Sequence, residues 1–151
     1  MKTATRLIPL LVAALLPLGA MADMPGQHPY YLHALSDLRA ARWLIEHRPG
    51  NPMVRDDENV AIAKIDETIN EIKHAAIEDG KNIEDHPPVD DRLDRRGRLR
   101  RAEELLNQVH SEIAREEDDP MTRGLRDRAI HHLDEAIHAT HRALQDRRMG
   151  L

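Results

Sequence analysis

A chain of 151 residues without cysteine is long enough for one domain, and it has no means of forming a disulfide, a thiolate nucleophile or a covalent haem attachment. Its formal charge of −5, with two tyrosines, one tryptophan and no phenylalanine, argues against a nucleic-acid partner, because such surfaces need a positive face and usually stacking aromatics. We therefore expect a domain that depends on an aliphatic core.

The first 22 residues predict a signal peptide. Lys2 and Arg6 form a basic start, residues 7–18 an apolar core, and Ala20-Met21-Ala22 a small-x-small cleavage site. The apolar run is about a dozen residues and contains two prolines, whereas a membrane-spanning helix needs roughly 20 apolar residues. We expect cleavage before residue 23, a periplasmic or secreted location, and no membrane span in the mature chain 23–151, whose formal charge is −7.

The mature chain matches itself without a gap at an offset of 68 residues, residues 31–79 aligning with 99–147. The identical positions of the first copy are Ala34, Leu38, Ile45, Pro52, Met53, Arg55, Ala61, Ile62, Asp66, Glu67, Ile69 and Ala75. Helical periodicity lies on both sides of a Pro-Met turn in each copy, so each copy is predicted to be a helical hairpin, 30–80 and 92–148, with a linker at 81–91. A lone hairpin cannot bury its apolar face until it packs on a second one. The sequence predicts an all-α, up-down-up-down four-helix bundle.

Four helices are predicted in chain order, at about 30–47, 56–79, 92–117 and 122–147. Each carries apolar residues three and four positions apart, the spacing of one helix face. Ile69 and Ile137 occupy equivalent positions of the second and fourth helices, and both are predicted to be core residues. The third helix begins in a run of six arginines between residues 92 and 101, for which a solvated helix start is preferred to a patch for an anionic partner.

Histidines and aspartates along the fourth helix are the candidates for chemistry. His131, Asp134, His138 and His141, preceded by Asp127, recur at spacings of three and four residues on a stripe beside the core. Such ligands could bind Zn, Cu or Ni, with Glu103 or His110 of the third helix completing the set. A solvated polar face explains the same pattern and is preferred, because spacing alone brings at most two of these groups together.

Two Glu-x-x-His patterns, Glu71 to His74 and Glu135 to His138, resemble part of a ferritin-like di-metal centre. Such centres need these groups to point into the bundle, whereas the periodicity places Glu71, His74 and Glu135 nearly opposite the isoleucine stripe. We therefore assign no di-metal centre to them. No nucleophile with an adjacent base and no glycine-rich phosphate loop is recognisable, so we do not expect an enzyme.

Trp43 is not explained by the repeat, because its counterpart is Ser111 and it lies off the core stripe. With Tyr30 and Leu32 it could form a contact for a protein partner or for self-association, since exposed aromatic patches often mark interfaces. A satellite packing contact over the linker or the N-terminal segment explains it equally well.

The segment from His28 to Trp43, together with residues 85–90 and 124–130, resembles an uncharacterised family of small exported helical proteins from bacteria. The resemblance covers most of the mature chain. It implies a helical fold and a secreted or periplasmic setting, and it implies no activity and no site residue.

Two functions are therefore expected as alternatives. The first is a non-enzymatic interaction or stress-protective module of the cell envelope. The second is a divalent metal-binding or metal-buffering protein that uses the histidine and aspartate stripe, with no other cofactor.

Overall fold

The computed structural model describes residues 29–47, 56–78, 89–90, 92–115 and 123–145. These residues contain four α-helices, α1 (Pro29–Glu46), α2 (Asp56–Glu78), α3 (Arg95–Arg115) and α4 (Arg123–Gln145). The predicted all-α, four-helix architecture is confirmed, and each predicted helix bound lies within three residues of the observed one. No helix within the described ranges is both long and apolar enough to cross a membrane. The predicted signal peptide and the two Pro-Met turns lie outside the described residues.

The start of α3 is set by an aspartate cap. Asp94 Oδ1 accepts a hydrogen bond from the backbone N–H of Gly97 at 2.7 Å, which satisfies one of the donors left free at a helix start. A β-carbon added to Gly97 would lie 3.0 Å from the same Asp94 oxygen, so the small residue leaves room for the cap. Helix α3 therefore begins at Arg95 rather than at the predicted residue 92, because the cap interrupts the arginine run.

The four helices form a square in which α1 and α4 each pack against both α2 and α3. Ion pairs fix their directions. Glu71 pairs with Arg128, and Asp57 pairs with Arg142 near the other end, so α2 and α4 are antiparallel. Glu103 with His141, and His110 with Asp134, show the same for α3 and α4.

Since α2 and α3 are both antiparallel to α4, they run in the same direction. Helix α1 runs opposite to α3, because Leu44 near its end contacts Arg98 near the start of α3, whereas Asp37 lies near Glu112. The chain order is therefore up, down, down, up, and the expected up-down-up-down order is wrong. The connection is long enough to permit this order: the sixteen residues 79–94 can span about 50 Å when extended, whereas α2 is about 35 Å long at roughly 1.5 Å per residue. Each contact between neighbouring helices is then antiparallel, the arrangement that helix dipoles favour.

The core contains mostly leucine, isoleucine and alanine. The fully buried large side chains include Leu35, Leu38, Leu44, Ile45, Ile65, Ile72, Leu106, Val109, Ile113 and Leu133. Ile69 and Ile137 pack against this core but are only partly buried. Helix α2 touches both α1 and α4, so its buried face is broad and is centred on Ile65, with the predicted stripe residue Ile69 at its edge.

The arginine run is partly structural rather than a solvated helix start. Arg98 is only 5% exposed, and it donates hydrogen bonds to the carbonyl oxygens of Leu44 and Leu93, each at 3.2 Å. The Leu44 carbonyl belongs to the last turn of α1, where carbonyls have no partner within the helix. Arg98 therefore caps α1 and ties it to the segment before α3, while burial lowers its pKa. Arg95 pairs with the buried Glu58 at the start of α2.

Candidate metal centre

Helix α4 packs on both α2 and α3, and most of its fully buried side chains are small. Its fully buried positions are Ala129, Leu133, Ala136, Ala139, Thr140 and Ala143. Alanines at the contact let two helices approach closely, and longer polar side chains at its flank can then reach from one helix to the other. The flank of the α2–α4 contact is therefore lined with charged groups that meet in pairs.

A four-residue cluster lies midway along this flank, and we refer to Lys64, Glu67, His132 and Glu135 as the clasp. His132 Nδ1 lies 2.8 Å from Glu67 Oε2 and 3.9 Å from Glu135 Oε2. The ligand atoms of Glu67, His132 and Glu135 all lie within 4.8 Å of one another, and each residue is partly buried. His132 Nδ1 is itself covered from solvent and, within the described ranges, forms no aligned hydrogen bond despite its short distance to Glu67.

The ammonium of Lys64 bridges the two carboxylates of the clasp. Its Nζ lies 2.8 Å from Glu67 Oε2 and 3.0 Å from Glu135 Oε2. The hydrogen bond from Lys64 holds the pKa of Glu135 below its ordinary value. Hydrogen bonds to Glu67 and Glu135 in turn raise the pKa of Lys64. The clasp thus already holds a cation between its carboxylates.

The spacing of the three ligand atoms of the clasp can be compared with that around a small divalent ion. Ligand atoms about 2.1 Å from a metal lie about 3.0–3.4 Å apart in octahedral or tetrahedral geometry. The observed separations of 2.8 and 3.9 Å from His132 Nδ1 fall on either side of that range, and the two glutamate ligand atoms lie within 4.8 Å of each other. One imidazole with two carboxylates is a donor set that suits first-row transition metals.

The predicted ligands on α4 do not converge in the same way. His131 is largely exposed, and its Nε2 lies 3.9 Å from Glu135 Oε2, so it stands at the rim of the clasp. Asp134 is paired across the α3–α4 contact with His110, at 3.4 Å. Among the described residues, the three-ligand group is Glu67, His132 and Glu135, which contains none of the four predicted ligands.

His141 uses both of its ring nitrogens in hydrogen-bonding contacts. Nδ1 lies 2.8 Å from Glu103 Oε1, and Nε2 lies 2.6 Å from the Gln145 side-chain nitrogen. A neutral ring that donates from Nδ1 and accepts at Nε2 satisfies both neighbours, and it leaves no lone pair for a metal. His138 and Asp127 are exposed. Glu103 and His110 do flank the same contact as these residues, as predicted, but each pairs with a different residue of α4.

Sequence reasoning missed the clasp because it placed Glu135 opposite the core. The structure instead places Glu71 and Glu135 at the flank of the α2–α4 contact, where they pair with Arg128 and Lys64 respectively. One signal was available in the sequence: Glu67 and Glu135 are identical at the repeat offset although neither lies on the predicted core stripe.

The three residues of the predicted partner contact, Trp43, Tyr30 and Leu32, differ in how far they are exposed. Trp43 and Leu32 are partly buried and pack against the core. The Trp43 ring stacks on His47, with centroids 4.0 Å apart and planes 13° apart. Tyr30 is 39% exposed. The prediction that these residues meet a partner stays a prediction.

A second polar feature lies between α1 and α3. Asp37 lines a cleft of about 410 Å³ whose apolar wall includes Leu44, Leu93 and Leu105. Asp37 Oδ2 and Glu112 Oε2 are buried and have no hydrogen-bond partner among the described residues. Burial, reinforced by the nearby charge of Glu112, raises the pKa of Asp37.

No protein-family model, curated protein or solved structure matches this chain.

Proposed function

We propose that this chain is a non-enzymatic, exported helical bundle that binds a divalent transition metal at the clasp. The observation that supports this proposal is the approach of three ligand atoms, from Glu67, His132 and Glu135, to within 4.8 Å of one another across two helices. The two carboxylates of the clasp carry a charge of −2, which would balance a divalent ion in the place of the Lys64 ammonium. Export is supported by the predicted signal peptide at residues 1–22.

Because the three ligands come from two helices, metal binding would stabilise the fold. Glu67 belongs to α2, whereas His132 and Glu135 belong to α4, so a bound ion would join the two hairpins. A ligand that binds only the folded state stabilises it by mass action. Zn, Cu or Ni should therefore bind and raise the melting temperature together.

Calorimetric titration of the untagged protein with Zn, Cu and Ni tests the proposal. We expect saturable binding with a Kd below about 10 μM, near −7 kcal/mol, that is lost in a His132→Gln variant. The matched control is a double variant, His138→Gln with His141→Gln, which removes two of the sequence-predicted ligands and should bind as the wild type does.

Two other outcomes would contradict the proposal. Loss of binding in the double variant with retention in His132→Gln would assign the metal to the predicted α4 stripe instead of the clasp. Absence of saturable binding to the wild type would reject the metal proposal for this chain.

The second candidate is the interaction or stress-protective module of the cell envelope, favoured by the partly exposed Trp43 at a position where the repeat has Ser111. Sedimentation equilibrium of the wild type and of Trp43→Ser tests the self-association form of this function. A concentration-dependent dimer that the substitution abolishes would support it, and a monomeric wild type would reject it.

A further inference from the structure

The clasp has an internal symmetry that follows from the 68-residue offset. At that offset Glu67 corresponds to Glu135, and Lys64 corresponds to His132. Because α2 and α4 are antiparallel, the two halves of the clasp face each other: Lys64 reaches Glu135 and Glu67 reaches His132. Each hairpin therefore supplies one glutamate and one nitrogen-bearing side chain, and the halves differ only in the kind of nitrogen.

The two nitrogens have opposite roles toward a cation. A neutral imidazole donates a lone pair to a metal, whereas an ammonium carries three donors and no acceptor. Lys64 Nζ lies within 3.0 Å of the same two carboxylate oxygens that would ligate the ion. A metal bonded to both oxygens would lie at the place where the ammonium now lies, and the two cations repel each other.

We propose that Lys64 is a built-in competitor of the metal, so that binding at the clasp exchanges the lysine ammonium for a divalent cation. This inference concerns the regulation of the proposed metal site and rests on that proposed function. Lys64 keeps the carboxylates together and neutralised while no metal is bound. It also sets a threshold, because only a cation that interacts with the carboxylates more strongly than the ammonium does displaces it.

The exchange leaves the rest of the bundle unchanged. The side chain of Lys64 is 25% exposed, at the flank of the helix contact rather than inside the core. Its four-carbon stem lets the ammonium swing into solvent without a change in the helix backbone. The backbone carbonyl of Lys64 accepts a hydrogen bond from Thr68 at 2.8 Å, and this bond does not depend on the side chain.

The test is the Zn affinity of Lys64→Met, which removes the ammonium and keeps a long side chain of similar helix propensity. We expect Zn to bind at least tenfold more tightly to this variant than to the wild type. Lys73→Met, which removes another α2 lysine and the same charge, should bind as the wild type does. Lys64→Arg, which keeps a cation at the position, should bind no more tightly than the wild type. Lys64→His should bind most tightly of all, because it supplies a second imidazole.

A loss of fold would be separated from a loss of binding by circular dichroism and by the melting temperature with and without Zn. Lys64→Met leaves two facing carboxylates without their ammonium, so its melting temperature should rise more on Zn addition than that of the wild type. If Lys64→Met is too unstable to titrate, Lys64→Gln serves for the same measurement.

The outcomes separate this inference from the proposed function. Wild-type binding with equal or weaker binding in Lys64→Met would overturn the competitor role and leave the metal function standing. Binding in Lys64→Met with none in the wild type would support the competitor role and overturn metal binding as the function of the natural chain. Absence of binding in the wild type, Lys64→Met and Lys64→His would overturn both.

Discussion

Replacing Ile65 with alanine should destabilise the bundle far more than the same change at Ile69. Ile65 is 0% exposed, whereas Ile69 is partly buried at the edge of the core. The substitution removes three carbons, worth about 2.4 kcal/mol at roughly 0.8 kcal/mol per buried carbon. A cavity left between packed helices adds to this loss, so we expect about 3–4 kcal/mol at Ile65, within the usual range for large-to-small core changes. Ile69 should lose about 1–2 kcal/mol, because solvent already reaches part of it.

Urea unfolding followed by circular dichroism at 222 nm measures both costs, provided that the slope of each transition stays unchanged. The repeat-equivalent pair Leu133 and Ile137 provides an internal control, since Leu133 is fully buried and Ile137 is partly buried. The same order of costs is expected on α4. Equal costs at Ile65 and Ile69, or a larger cost at Ile69, would refute the orientation of α2 described above.

Asp37, Arg98 and the predicted cleavage site give further tests. The raised pKa of Asp37 means that the folded state holds this proton more tightly than the unfolded state, so stability is lost as pH rises above the ordinary value of 3.8. Asp37→Asn should therefore raise the urea midpoint at pH 7, and the gain should shrink toward pH 4. A lowered midpoint at pH 7 would contradict this prediction. Arg98→Ala should cost about 2 kcal/mol or more in the same assay, because the carbonyl oxygens of Leu44 and Leu93 lose their buried donor, and a neutral effect would show that this cap is not needed. Mass spectrometry of protein recovered from cells should find Asp23 at the N-terminus, and an intact Met1 on the localised protein would rule out the signal peptide.

The existence and bounds of the helices could be predicted from the sequence because they depend on local features. The three-and-four spacing of apolar residues sets each helix, and prolines, glycines and aspartates near the ends stop or start it. The one start that differs by three residues, that of α3, also has a local cause, because Asp94 caps the helix at Arg95 rather than at the predicted residue 92.

The relative directions of the helices could not be predicted, because they depend on which end of the bundle the long connection between α2 and α3 reaches rather than on any one residue. Residues 79–94 are long enough either to turn back at once or to reach the far end of the bundle, and packing decides between these possibilities. That choice placed α2 beside α4 with its direction reversed. It thereby brought Lys64 and Glu67 to face His132 and Glu135.

The sequence by itself determined the number of helices, their apolar faces, and the presence of histidines and carboxylates at spacings that suit metal ligands. Only the tertiary structure decided which of these groups meet. Spacing along one helix brings together residues three and four positions apart, and it selected His131, Asp134, His138 and His141. The clasp joins residues 65 or more positions apart, Glu67 with His132 and Glu135. These residues meet because α2 packs antiparallel on α4, in a rotation and register that place the polar flanks of the two helices side by side. Local spacing does not predict the relative rotation of two helices, since this rotation results from the burial of apolar side chains on four helices at once.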